Sequence, residues 1–169
     1  MSLLLNGSKT ITIAGTEMQC IEIYTGESYT FPFSFTDSVG DPVNCTGWTL
    51  TTTAKFYVAD TITYDADNTN ITIGNLTLDV PQPSIGGGTY SGSLVSAFTS
   101  QPTGIGYLYV PADLTGGTGS PNPTPIISLA NTTANTHIVV VTMTVQRTDP
   151  TSGMQNISRE PIGIIVRYQ

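Results

Sequence analysis

The stretch Tyr29–Thr36, which reads YTFPFSFT, decides the fold class of this chain. Polar or small residues alternate there with four aromatic ones, Tyr29, Phe31, Phe33 and Phe35. Successive side chains of a β-strand point to opposite faces, so the pattern predicts a half-buried strand with an aromatic inner face. Pro32 belongs to the outward set and donates no backbone hydrogen bond, which predicts an edge strand or a bulge at that position.

The period of two continues on the far side of a predicted turn at residues 37–42. From Trp48 to Val58 the even positions are predicted to face the core, with the single tryptophan as an anchor. Residues 137–147 are apolar at both odd and even positions, which predicts a central strand covered on both sides at its start. A last strand is predicted over about 155–167.

Eight to ten short strands separated by polar turns, without a convincing helix, predict an all-β fold. We expect a two-sheet antiparallel sandwich of immunoglobulin-like type, with a jelly roll as the alternative. The length of 169 residues suits one domain. We predict an N-terminal arm at residues 1–9 and a single sandwich domain at 10–169, with a long Pro- and Gly-rich loop at about 111–136.

The composition excludes several classes of protein. Threonine alone accounts for 29 residues, and such a composition disfavours helices. Five basic residues against twelve acidic ones give a net charge of −7, which repels nucleic acid. No apolar run is long enough to span a membrane, and the N-terminus does not read as a secretory signal, so we expect synthesis in the cytoplasm. Cys20 and Cys45 are predicted to be reduced and packed.

The sequence offers no recognisable catalytic apparatus or cofactor site, so we predict a protein that is not an enzyme and binds no cofactor. The only histidine, His137, begins a strand, and no G-x-S-x-G motif accompanies it. Cysteine and histidine are too few and scattered for zinc. Asp65 and Asp67 are a weak calcium candidate, because they place carboxylates at alternate positions of a turn. A hydrogen-bonded Asx turn is the favoured interpretation of the same residues.

Two stretches carry a family resemblance. Residues 26–50, GESYTFPFSFTDSVGDPVNCTGWTL, resemble the opening of small immunoglobulin-like virion proteins of tailed bacteriophages, among them the N-terminal domain of baseplate upper proteins. Residues 145–149, VQRTD, and 157–167, ISREPIGIIVR, are similar to the closing hairpin of those domains. The resemblance implies a structural protein located in the virion, and it carries over no catalytic residue.

We therefore expect a structural component of a phage particle, in the tail or baseplate or on the capsid as a decoration protein. The expected partners are other virion proteins and copies of this chain, with no nucleic acid and no membrane. The predicted contact residues are Tyr29, Phe31, Phe33, Phe35, Tyr107, Tyr109, Pro121 and Pro123.

The alternative is a carbohydrate-binding module of a receptor-binding apparatus that binds a host surface glycan. Sugar sites combine exposed aromatic side chains with amides and carboxylates. The candidates are Tyr107 and Tyr109 near Asp113, or Tyr64 near the two aspartates of the predicted turn.

Overall fold

The computed structural model describes residues 1–13, 15–74, 76–78, 94–114 and 136–167. Two short 3-10 turns, Gln101–Thr103 and Ala112–Leu114, accompany twelve strands in the described part of the chain. The strands are β1 (Ser2–Leu5), β2 (Lys9–Ile13), β3 (Thr16–Tyr24), β4 (Tyr29–Thr36), β5 (Trp48–Ala59), β6 (Ile62–Tyr64), β7 (Asn70–Ile73), β8 (Leu76–Leu78), β9 (Val95–Ser100), β10 (Ile105–Val110), β11 (Thr136–Asp149) and β12 (Gly153–Arg167).

The strands form two sheets, which confirms the predicted all-β sandwich. The four-stranded sheet has the order β1-β4-β10-β9. The eight-stranded sheet has the order β6-β7-β2-β3-β12-β11-β5-β8. Most neighbours are antiparallel, and the parallel exceptions are β12 with β3 and β2 with β7.

The main core lies between the two sheets and is organised by the aromatic face of β4. Phe33 and Phe35 are 2% and 0% exposed, and their rings meet edge to face at 5.4 Å. Phe98 of β9 completes the aromatic cluster at 6.4 and 6.0 Å from these two rings. Facing them from the eight-stranded sheet are buried aliphatic residues, among them Val141 and Ile164. Trp48 packs against this core while staying partly exposed.

The eight-stranded sheet curls around a second core. Strands β5 and β6 stand seventh and first in its order, yet only Asp60 and Thr61 connect them. Three Cα steps span at most about 11 Å, whereas six strand spacings in a flat sheet would span about 29 Å. The two ends of the sheet must therefore approach each other. The side chains enclosed between them include Ile11, Cys20 and Ile71.

Strand β11 runs through both cores, as its two apolar faces predicted. It lies between β12 and β5 in the sheet order. Val139 packs in the main core, and Ile138 on the opposite face packs in the second core; both are 0% exposed. One strand therefore contributes side chains to both cores.

The N-terminal residues differ from the predicted arm. Ser2–Leu5 pairs antiparallel with β4 and buries Leu3 and Leu5 in the main core. The same pairing makes β4 an inner strand of its sheet, where Pro32 led us to expect an edge or a bulge. The register between β1 and β4 ends with Leu5 opposite Phe33, so no residue of β1 lies opposite Pro32.

Candidate interaction surfaces

His137, the only histidine, is inside the protein. It lies near the start of β11, opposite Val58 on one side and Val166 on the other, and is 2% exposed. A substrate in solvent does not reach such an imidazole. Among the described residues, no three His, Cys, Asp or Glu side chains form a group that could hold a metal ion.

The Asp65 carboxylate is used by its own turn. Its Oδ1 accepts hydrogen bonds from the backbone N–H groups of Thr69 and Asn70, at 2.8 and 3.2 Å. Its Oδ2 accepts from the Thr69 hydroxyl at 3.0 Å and the Asn70 amide at 2.8 Å. These donors, the Asn70 side chain first, lower the pKa of Asp65 to about 2. The contacts are those of an Asx turn, the favoured interpretation of Asp65 and Asp67.

The outer face of the four-stranded sheet, called here the outer sheet face, is uncharged and partly apolar. Three rows of side chains cross it, given by the strand register. They are Leu4, Ser34 and Ile105; Pro32, Tyr107 and Ala97; and Thr30, Tyr109 and Val95. Leu4, Ile105 and Val95 are 51%, 43% and 41% exposed. None of the four strands contains an Asp, Glu, Lys or Arg, although the chain carries a net charge of −7.

The predicted contact residues separate into three groups. Tyr107 and Tyr109 lie on the outer sheet face. Phe33 and Phe35 are buried in the main core, so they do not contact a partner; their alternation signalled an inward face rather than a binding surface. Pro121 and Pro123 lie outside the described residues.

Tyr29 and Phe31, the remaining predicted contacts, lie at the margin of the main core. Both are partly buried against it, and their rings stack at 5.7 Å. The Tyr29 hydroxyl donates to Glu27 at 2.5 Å and accepts the backbone N–H of Tyr24 at 3.1 Å. Burial is the first cause that raises the pKa of Tyr29, and the Glu27 carboxylate adds to it. This hydroxyl therefore already has partners within the chain.

Tyr64, the second sugar-stacking candidate, belongs to a charged cluster on the eight-stranded sheet. Its hydroxyl donates to Glu22 Oε1 at 2.5 Å. Lys9 Nζ and Arg167 Cζ lie 5.3 and 5.2 Å from the centre of its ring, within cation–π range. Both cations also pair with the Glu22 carboxylate, at 3.1 and 2.9 Å. These contacts connect β6 to β2, β3 and β12 and so stabilise the eight-stranded sheet.

A small cleft of about 230 Å³ opens beside the N-terminal strand. Its lining comes from β2, β3 and β12: Thr10, Glu17, Met18, Gln19, Glu160 and Pro161. Two of these six residues are acidic and none is basic. No sequence motif pointed to this cleft, because Glu160 and Pro161 come from a strand that is far in the chain from the other four lining residues.

Leu4 and Ile105 were also missed as surface residues. A signal existed for the first of them. In a strand, Leu3 and Leu5 share one face and Leu4 lies on the other, so the three leucines cannot all pack in the same core.

The described residues define an all-β sandwich whose four-stranded sheet has an uncharged outer face, with a small cleft lined by two acidic residues beside β1. No protein-family model matches the chain, and no curated protein is significantly similar to it. In the part of the chain that the structure describes, no helix is long and apolar enough to cross a membrane.

Proposed function

We propose that this protein is a non-enzymatic structural subunit of a tailed-bacteriophage virion. It assembles with other virion proteins and with copies of itself, in the tail or baseplate or as a decoration protein on the capsid. The family resemblance of residues 26–50 motivates the virion role, and the outer sheet face supplies a surface suited to assembly.

The single observation that carries the assembly role is the uncharged outer sheet face on a strongly acidic chain. Four strands at a spacing of about 4.8 Å, each about six residues long, cover on the order of 400 Å². Leu4, Ile105 and Val95 are the exposed large apolar side chains within that area, and exposed apolar groups rimmed by polar residues are a common feature of interaction sites. Because like charges repel, an acidic subunit packs most easily against acidic neighbours through a face without charge.

The strand order supports an immunoglobulin-like version of the sandwich. If β1, β4, β5, β9, β10, β11 and β12 are lettered A to G in chain order, the four-stranded sheet reads A-B-E-D. In the eight-stranded sheet the neighbouring strands β5, β11 and β12 then read C-F-G. Immunoglobulin domains have this arrangement, and they serve widely as modules of assembly and recognition. The remaining strands are insertions into that plan.

Charge substitutions on the outer sheet face test the proposal. We expect Ile105→Lys and Val95→Lys to reduce incorporation into phage particles at least about tenfold, because an unpaired ammonium group would be desolvated at the contact. Both side chains are already exposed, so the thermal midpoint of the free protein should change little. The readout is quantitative mass spectrometry of purified particles.

Val39→Lys is the matched control, because Val39 is 79% exposed on the turn after β4, outside the four strands of the sheet. It should incorporate like the unmodified protein. Full incorporation of both face variants would remove the outer sheet face from the proposal. Absence of the unmodified protein from purified particles would overturn the virion role itself.

A carbohydrate-binding module is the second candidate, favoured by the position of two tyrosines two residues apart on an exposed face. Tyr109 Oη lies 3.5 Å from the Ser28 hydroxyl, at the margin of the outer sheet face. On a glycan array, Tyr107→Ala should abolish any binding shown by the unmodified protein. An array without hits across host polysaccharides would count against this function.

A further inference from the structure

The edge of β1 that faces away from β4 is covered by the side-chain amide of Gln19. Among the described strands, β1 is the last in its sheet and pairs only with β4. On the other side, the backbone N–H of Leu5 donates to Gln19 Oε1 at 2.6 Å, and Gln19 Nε2 donates to the Leu3 carbonyl at 2.5 Å. The Ser8 hydroxyl also donates to Gln19 Oε1, at 3.1 Å.

This contact has the chemistry of strand pairing. A primary amide offers one N–H donor and one C=O acceptor, as a peptide group does. Gln19 therefore imitates one peptide unit of a further strand and satisfies the two groups of β1 that such a strand would bind. Uncovered edges of this kind recruit other chains, and proteins commonly block them.

The small acidic cleft lies directly beside this covered edge, because Gln19 both lines the cleft and binds β1. Glu17 of the lining is exposed, and Glu160 accepts a hydrogen bond from the Ser158 hydroxyl. A strand laid along β1 would point alternate side chains toward the eight-stranded sheet, where these carboxylates lie. Basic side chains at those positions would complement them.

We propose that the edge of β1 and the adjacent cleft form a docking site for an extended, basic segment of a partner protein. The segment adds a fifth strand to the four-stranded sheet and places its basic side chains at Glu17 and Glu160. Gln19 covers the edge in the absence of the partner and swings away when the segment binds. A second copy of this chain is the weaker occupant, since it has only five basic residues against twelve acidic ones.

The site adds contact area where the outer sheet face falls short. That face covers on the order of 400 Å², about half of what each partner contributes to a standard interface of roughly 800 Å² per side. The docking site and the outer sheet face are separate surfaces, so either proposal can fail without the other.

Binding of defined peptides to the full chain tests the site. The probe is a capped heptapeptide of alternating threonine and lysine. One control peptide has glutamate in place of lysine, and a second has methylated backbone amides. We expect the lysine peptide to bind at low salt and both controls to bind at least about tenfold more weakly, because they lose the charge match or the strand hydrogen bonds.

Gln19→Met tests whether the Gln19 amide blocks the edge of β1, because methionine keeps the length of the side chain and removes the amide. We expect the lysine peptide to bind this variant about tenfold more tightly, since it no longer competes with the side chain. The Leu5 amide hydrogen should exchange quickly in the free variant and slowly in its peptide complex. Gln146→Met is the matched control, because the Gln146 amide binds Asn156 on the exposed β11–β12 hairpin; its affinity should equal that of the unmodified protein.

The pair Glu17→Gln and Glu160→Gln tests the cleft and leaves the cover intact, which keeps the proposal testable even if Gln19→Met does not fold. We expect the lysine peptide to lose several-fold in affinity on the paired variant. Three results would each overturn the docking site. The methylated peptide could bind as tightly as the lysine peptide, or the paired variant could bind the lysine peptide with unchanged affinity. The third result is that the lysine peptide binds no folded form of the protein.

Discussion

The two sheets of this sandwich manage their outer faces in opposite ways. On the outer sheet face of the four-stranded sheet, Leu4, Val95 and Ile105 are exposed, and the four strands contain no charged residue. The eight-stranded sheet curls so that its second face encloses a core of its own, around Ile11 and Ile71. The same sheet carries a charged cluster in which Glu22 pairs with Lys9 and Arg167. The comparison shows that apolar residues on the second face of a sheet can either form a further core or stay exposed to solvent.

Truncation of a side chain in the main core should lower the free energy of unfolding more than any other change proposed here. Phe35 is 0% exposed and packs between the sheets, so Phe35→Ala should lower the free energy of unfolding by about 4 kcal/mol. Ile71→Val, which removes one methylene from the second core, should lower it by about 1 kcal/mol. Urea unfolding followed by tryptophan fluorescence measures both, since the chain has one tryptophan.

The free thiols allow the two cores to be followed separately. Cys45 lies in the main core and Cys20 in the second. Burial is the main cause that raises the pKa of both thiols, and it raises the pKa of Cys20 to about 12. Neither thiol is therefore reactive while it is buried. Because β11 joins the cores, the two thiols should be labelled with the same urea dependence. Earlier labelling of Cys20 in single-cysteine variants would show that the cores open independently.

Removal of the Glu22 charge should have an intermediate effect. Glu22→Gln leaves two cations beside the Tyr64 ring without their carboxylate partner. The side chains of this cluster are about one-third exposed, so the loss should be about 1 kcal/mol and should shrink at high salt. Glu17→Gln is a suitable control on the same strand, because Glu17 is exposed and lies outside the cluster. Equal stability of the Glu22→Gln variant at low and high salt would contradict the electrostatic account.

The smallest expected effect is an acid dependence from the Asp65 turn. The hydrogen bonds lower the pKa of this carboxylate from 3.8 to about 2, so its contribution to stability is present above pH 4 and disappears as the pH falls toward 2. Asp65→Asn should therefore differ from the unmodified protein at neutral pH, and the difference should shrink as the pH falls from 4 to 2. Thermal midpoints between pH 2 and pH 7 measure it.

Asn70→Ala gives an independent check of the cause. The Asn70 side chain is the first cause of the lowered pKa. Its removal should raise the pKa of Asp65 toward the ordinary value and move the acid transition to higher pH. An unchanged transition would show that the Asn70 amide does not hold the carboxylate.

Much of the architecture was predictable from local pattern. The alternation of Tyr29–Thr36 predicted the strand and its buried face, and the double apolar pattern of residues 137–147 predicted a strand covered on both sides. Strands β1 to β3 were not predicted, although Ile11 and Ile13 alternate with threonine in the second of them. Short strands with threonine on the outward face give a weak signal, because their pattern is close to that of a polar loop.

The surfaces were less predictable than the fold. The aromatic residues of β4 were expected both to face inward and to contact partners, and Phe33 and Phe35 are buried. The exposed row of Leu4, Ser34 and Ile105 comes from three strands, and only the register places these residues side by side. A local pattern tells which face of a strand a residue occupies, but it does not tell which strand lies beside it.

By itself, the sequence determined the all-β class, the inward face of β4 and the central place of β11, because strand periodicity and burial are local properties of the chain. Only the tertiary structure decided the strand order, the curl of the eight-stranded sheet and the contact of Gln19 with the edge of β1. The physical reason is that these features depend on pairings between residues far apart in the chain. Gln19 lies 14 residues from Leu5, and nothing in either local pattern shows that an amide will meet a backbone edge.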